Sequence, residues 1–339
     1  MPAPTPERDR SVYFAGAGLS CALGLPNTPS LLEEILSLAG RTQWLQSREL
    51  PKRVREAIKY FYPDGTIPGF RPDVVDFFSA LRTYIDIGAG LAGGFKDAPA
   101  LYRDLKFAIG HLLVERIKAA DAALAAGHEY LEKVVQPGNV VITSNWDVLI
   151  ERFAQLKEIP LRYSGNSDTA LVLLKLHGSI DWCLSGDRGG YPDGDYASLG
   201  EQVFSSRVRH VRVPAAAKTI VRVRAMENWS DAWRKIKSRT EEPFMVTMAR
   251  GKSGDLGPLL GIWKDAYAAL SRARTLEVVG YSMPPDDIEI RTLLRGGVQR
   301  GAGPFRVSVR NPAPEVHDRL RRYLHREVRS NYMAVNSPT

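Results

Sequence analysis

Cysteine is almost missing from this chain: 339 residues hold two, Cys21 and Cys183. Two thiols cannot build a disulfide framework or a four-cysteine zinc site, so neither is expected. No apolar run reaches the roughly 18 residues that a membrane-spanning helix needs, and no membrane association is expected. The first ten residues, MPAPTPERDR, are polar and proline-rich with no apolar stretch. A secretory signal is therefore not expected, and a reducing cytoplasm is the expected home. Acidic residues are scarce in one place. Between Arg207 and Arg239 ten basic residues face only Glu227 and Asp231, within a net charge of +8. A second basic cluster runs Arg319, Arg321, Arg322, Arg326 and Arg329. Such clusters suit nucleic acid, an acidic partner or plain solvation, and no nucleic-acid motif accompanies them.

What the chain does have is apolar residues (44%) and length, enough for one large domain carrying a smaller module. SVYFA at 11–15 reads as a strand entering a glycine loop. VVITSN at 140–145, LVLLKLHGS at 171–179, TLEVVGYS at 275–282 and PFRVSVRN at 304–311 read as further strands, with amphipathic helices between them. Ser30 and Glu33 fit a capping box for the helix LLEEILSLAG. Helical patterns alone fill 41–134. This alternation predicts an α/β fold, a doubly wound Rossmann-like parallel sheet with an inserted helical module. The large domain is then discontinuous, 8–40 plus 135–185 plus 242–335. The helical module is 41–134, and 186–241 is an irregular basic insertion holding two short strands.

Polar clusters sit at the carboxyl ends of these strands, where open α/β sheets bind ligands. After the first strand comes 15-AGAGLSCALGLP-26. Its glycines allow close approach to a pyrophosphate, although Cys21 stands where a dinucleotide fingerprint would want a third glycine. A plain strand–helix turn is the other reading. After the second strand come Thr143, Ser144, Asn145 and Asp147, which suit either a ribose or water contact or the capping of the next helix. His177, in KLHGS, occupies the same place after the next strand, where an imidazole suits general-base work or a structural role. VGYSMPPDD brings Gly280 and Ser282, with Asp286 and Asp287 as helix caps. VRNP brings Asn311, or only a turn.

In this order the motifs resemble the sirtuin superfamily. GAGLSCALGLP resembles its Gly-Ala-Gly-x-Ser opening with the following Gly-Ile-Pro, and TSNWD its Thr-Gln-Asn-Ile-Asp. LHGS resembles the segment with its catalytic His, GYS its later Gly-Thr-Ser, and VRNP its Asn-bearing strand near the adenosine. The resemblance spans about 11–312 and is poor over the helical module and 185–241. It implies NAD as substrate and makes the large domain NAD-binding. Gly16, Ala17, Gly18 and Ser20 would line the phosphates, and Asn27 and Thr143 join the NAD-binding set. Asn145 would meet the nicotinamide ribose, Asp147 the carboxamide, and His177 the ribose hydroxyls as base. Gly280, Ser282 and Asn311 would hold the adenosine half. Asn145 and His177 are the implied catalytic pair.

The departures bear on activity. The zinc-ribbon cysteines of the protein deacylases are missing, so no zinc or other metal is expected. Pro26, Asn27, Thr28 and Pro29 replace the deacylases' Pro-Asp-Phe-Arg. TSNWD, KLHGSIDW and VGYSMPPDD are nearer the bacterial sirtuin-like branch of antiphage systems, whose members cleave NAD, some beside a HerA-type ATPase or a short Argonaute. The resemblance thus implies an NAD⁺ hydrolase, an antiphage effector activated by such a partner or by homo-oligomerisation. The alternatives are a protein deacylase or ADP-ribosyltransferase, and a non-catalytic NAD- or ADP-ribose-binding subunit of a nucleic-acid-associated complex.

Overall fold

The computed structural model describes residues 11–46, 48–62, 72–88, 95–184, 209–211, 220–222, 243–249, 252–299 and 305–332. Seven parallel strands form the sheet: β1 (Ser11–Ala15), β2 (Val140–Thr143), β3 (Leu161–Arg162), β4 (Leu171–Lys175), β8 (Thr275–Val279), β9 (Arg306–Arg310) and β10 (Val328–Asn331). Their spatial order is β10-β9-β8-β1-β2-β4-β3. From β1 the chain builds outward to one side, then returns to add β8, β9 and β10 on the other. The order reverses at β1 and β8, and this is the topological switch point. Every residue of VVIT and LVLLK is buried, as strands covered on both faces require. The predicted doubly wound α/β sheet is the fold.

Among the described residues between Arg41 and β2 are five helices: α3 (Gln43–Gln46), α4 (Leu50–Phe61), α5 (Val74–Asp86), α6 (Ala98–Ala126) and α7 (Glu129–Val134). Helix α6 is the spine. It packs on α4, on α5 and on α2 (Leu31–Arg41), and one apolar cluster runs from the sheet into these helices. Asp104, on α6 and nearly fully buried, accepts from Arg48 at 2.5 Å and Arg53 at 2.6 Å. Two guanidinium donors offset the desolvation of that carboxylate.

Several local expectations are corrected. The capping box at Ser30 does not form: Ser30 Oγ donates to Glu34 at 2.8 Å, and its N–H goes to Asn27 Oδ1 at 2.9 Å. The helix after TSNWD starts at Leu149 with Val148 at its N-cap position, and Asp147 Oδ1, one residue earlier, accepts the Leu149 N–H at 3.0 Å. The final helix stops at Leu324, where His325 turns left-handed at φ 50°, and an unforeseen parallel edge strand, β10, follows. The two-residue strand β3 was also unforeseen. Of the basic insertion, only Arg209–Val211 (β6) and Ile220–Arg222 (β7) are described, and they join Trp182–Leu184 (β5) in a small antiparallel sheet ordered β5-β7-β6. The remaining expectations for 186–241 lie outside the described residues.

The switch point is closed by backbone lying on backbone. Gly16 N–H donates to Val279 O at 2.9 Å and Gly18 N–H to Gly280 O at 2.8 Å. A Cβ on Gly16 would sit 2.6 Å from Gly280 O. Gly280 itself has φ +59°, and a Cβ there would meet Leu19 N at 2.3 Å. Gly280→Ala is expected to lower stability by roughly 2–4 kcal/mol, a left-handed penalty plus overpacking of the two loops. Urea denaturation checks it through a lower midpoint at unchanged slope.

Candidate active site

A cleft of about 320 Å³ opens beside the carboxyl ends of β1, β2, β4 and β8. Ala17, Asn27, Asn145, Asp147, His177 and Ser282 line it, six of the twelve residues singled out from the sequence. The others stand behind its walls or further off.

Thr143 is one such support. Its hydroxyl donates to Ala15 O at 2.9 Å, tying β2 to the end of β1, and accepts the Asn145 N–H at 3.0 Å. Ser20 is a second. Its hydroxyl donates to Asp147 Oδ2 at 2.7 Å and accepts from Asn145 Nδ2 at 3.1 Å. The second Nδ2 hydrogen goes to Gly16 O at 3.1 Å. Both amide hydrogens of Asn145 are thus spent on the first loop, which leaves Oδ1 as the acceptor it offers a ligand. The capping alternative for Asn145 falls away, because its amide is committed to the first loop and the Leu149 N–H bonds to Asp147 Oδ1.

Asp147 is nearly buried, with one carboxylate oxygen on Ser20 and the other on the Leu149 amide. Its main-chain carbonyl accepts from Lys175 Nζ, which also pairs with Glu151 at 2.8 Å. Both ions are about 1% exposed. This ion pair was not read from the sequence. Its signal was a lysine closing an otherwise apolar strand, LVLLK, and a glutamate four residues beyond Asp147 on the helix that follows.

His177 lies two residues beyond β4 and is buried to 5% exposure against the cleft. Gly178, at φ +75°, lets the segment 243–249 lie against it, since a Cβ there would be 2.2 Å from Phe244 O. Val246 N–H donates to His177 O at 2.9 Å, and Trp146 Nε1 to Val246 O at 3.0 Å. One segment therefore braces both strand ends and brings Met248 to the cleft wall.

The loop after β8 carries Ser282, exposed at the cleft. Arg319 Nη1 holds that loop by donating to Ser282 O at 2.8 Å and Met283 O at 3.2 Å. One arginine of the C-terminal basic cluster thus serves the fold. Tyr281 packs on Phe14, and burial, then its contact with Asp287, pushes its hydroxyl well above the ordinary range. Asn311 does not line the cleft: its Oδ1 accepts the Ala313 N–H at 2.9 Å, and its Nδ2 points to Tyr281 O. The glycines Gly16, Gly18 and Gly280 pack on one another. Burial, then the Asp147 charge, pushes the Cys21 thiol up, so it stays protonated near neutral pH and makes a poor nucleophile.

The helical layer also reaches the site, through Asp73 at the N-cap of α5, Val75 of α5, and Ile109 and Leu113 of α6. The carboxylates at the cleft are Asp73, Asp147, Asp286 and Asp287, with no lysine or arginine among the described lining residues. The site therefore favours a cationic group beside an amide acceptor. Among the described residues no group of three or more His, Cys, Asp or Glu is placed to hold a metal ion, and no helix is long and apolar enough to cross a membrane.

No protein-family model and no curated protein matches the chain. Solved structures to which it is similar include one described as the structural basis for the mechanism and regulation of Sir2 enzymes, at 15% identity and TM-score 0.41, covering 97% of this chain and 88% of that one. Another is a Sir2 homologue mutant in complex with ADP ribose, at 15% identity and TM-score 0.40, with the same coverage. A third is a Sir2–p53 peptide–NAD⁺ structure, at 13% identity and TM-score 0.37, covering 97% of this chain and 90% of that one.

Proposed function

We propose that this cleft binds NAD⁺ and that the protein hydrolyses its nicotinamide–ribose bond, giving nicotinamide, ADP-ribose and a proton. The observation that carries the reading is the position of Asn145. Two hydrogen bonds to the first loop aim its carbonyl oxygen at a cleft that His177 also lines. The order of the motifs resembling sirtuins supports it independently.

The chemistry suits these groups. The nicotinamide ring is cationic in NAD⁺ and departs as a neutral molecule, so no general acid is needed. The ribose becomes oxocarbenium-like as the bond ionises. Asn145 Oδ1 accepts from a ribose hydroxyl or the attacking water, and His177 takes the proton that water loses. The acidic lining favours the positively charged nicotinamide end over a neutral competitor. The deacylase alternative is disfavoured by the cysteine count, since two thiols cannot complete a four-cysteine site. Within this proposal the large discontinuous unit is the NAD-binding domain and 41–134 the inserted module.

Control belongs to the same proposal. A constitutive NAD⁺ hydrolase would poison its own cell, so activity is held until the chain oligomerises or meets a partner, as suits an antiphage effector. Nicotinamide release, followed by chromatography over a range of protein concentrations with and without acyl-peptide, tests this. Release without peptide, rising more steeply than protein concentration, is the expected result. Peptide-dependent release would instead favour deacylation, and strictly proportional release from the isolated monomer would remove the control argument. Failure to bind NAD⁺ would overturn the reading altogether.

A further inference from the structure

The buried pair Lys175–Glu151 is not part of the cleft, yet its ammonium reaches the residue at the centre of it. We propose that Lys175 is a positioning residue for Asn145, acting through Asp147. This inference rests on the NAD⁺ reading for its kinetic consequence and on geometry alone for its structural one.

Lys175 ends β4 two residues before His177, is fully buried, and donates to the main-chain carbonyl of Asp147. Asp147 holds Ser20 at 2.7 Å, and Ser20 holds the Asn145 amide at 3.1 Å. The chain of contacts is Glu151, Lys175, Asp147, Ser20, Asn145. A carbonyl just before a helix start has no helical geometry to hold it in place. An ammonium sited by a second charge holds it firmly, because hydrogen bonds with an ionised partner are roughly twice as strong as neutral ones. Glu151 accepts from the ammonium at 2.8 Å and is itself steadied by the Tyr163 hydroxyl at 3.3 Å. A buried ion pair is poor evidence for stability, since apolar residues of similar volume often stabilise as well or better. Placement of the TSNWD strand end is what this pair supplies that apolar residues would not. It also ties the segment carrying Asn145 to the strand that leads into His177.

The test separates placement from stability. Lys175→Met alone strands the Glu151 charge, so the informative variant is K175M/E151L/Y163F, which removes the whole polar cluster. Its melting temperature is compared with wild type, its kcat and KM for NAD⁺ are measured, and the Asn145 side-chain amide is followed by NMR in asparagine-labelled protein. Asn145→Ala assigns that signal. The expected result is a folded variant with kcat down about 10²-fold, KM within about threefold, and an Asn145 amide that exchanges with solvent at least tenfold faster. A folded variant with wild-type kcat and an unchanged amide signal overturns the inference. So does a wild-type amide that already exchanges like an exposed asparagine. Should wild type release no nicotinamide and bind no NAD⁺, the hydrolase reading fails by itself, and amide exchange still decides the role of Lys175.

Discussion

Asn145→Ala is expected to cut nicotinamide release from NAD⁺ by about 10²-fold or more while leaving the fold intact. The side chain is half-buried and spends its amide hydrogens on Gly16 O and Ser20 Oγ, both on buried residues behind the cleft. Their loss costs about 1–2 kcal/mol of stability, which a chain of this size tolerates. What disappears with them is the carbonyl oxygen that those two bonds orient. Asn145→Asp is expected to be no better, because a carboxylate has no hydrogen to give Gly16 O and would turn away from it. His177→Ala removes the proposed base and should fall in the range of about 10²–10⁴ expected for general-base loss. Single-turnover measurements with saturating NAD⁺ check all three. Near-full turnover in Asn145→Ala would sink the assignment, whatever His177→Ala did.

The second large effect is on stability. Lys175→Met alone should destabilise the protein by about 3–5 kcal/mol, because it leaves Glu151 charged and buried with its counter-ion gone. Glu151 is 1% exposed, so water cannot reach it to compensate. Adding E151L and Y163F to the same chain should recover most of that loss, since apolar side chains then occupy the volume. Urea denaturation of the two variants and wild type measures both steps. A single variant as stable as wild type would mean that the ion pair is not buried in solution.

The sheet was legible because parallel strands covered on both faces must be apolar throughout. VVIT and LVLLK announce themselves as runs bounded by polar residues. β10 was not legible: its residues, VRSN, carry one buried position in four and only pair because β9 lies beside them. Which side chain serves the amides at a helix start is not legible for a related reason: the Leu149 N–H bonds to Asp147, where Ser144 and Asn145 were the candidates.

Among the candidate residues, type and strand-end position sufficed to single out Asn145, Asp147, His177 and Ser282, all of which line one cleft. Position after a strand is a local property, and local order in the chain records it. The division of labour among these residues is not local. Ser20 lies beneath Asn145 because β1 neighbours β2, across 125 positions of sequence. The first-loop glycines face Gly280 because β8 returns to the far side of β1. Asp73 and Ile109 reach the cleft because the helices that carry them fold back beside it. The amino-acid sequence by itself determined the fold class and which residue types stand at the strand ends. Only the tertiary structure decided which of them face the cleft and which hold the others still, because hydrogen-bond partners depend on how distant segments pack and not on their order in the chain.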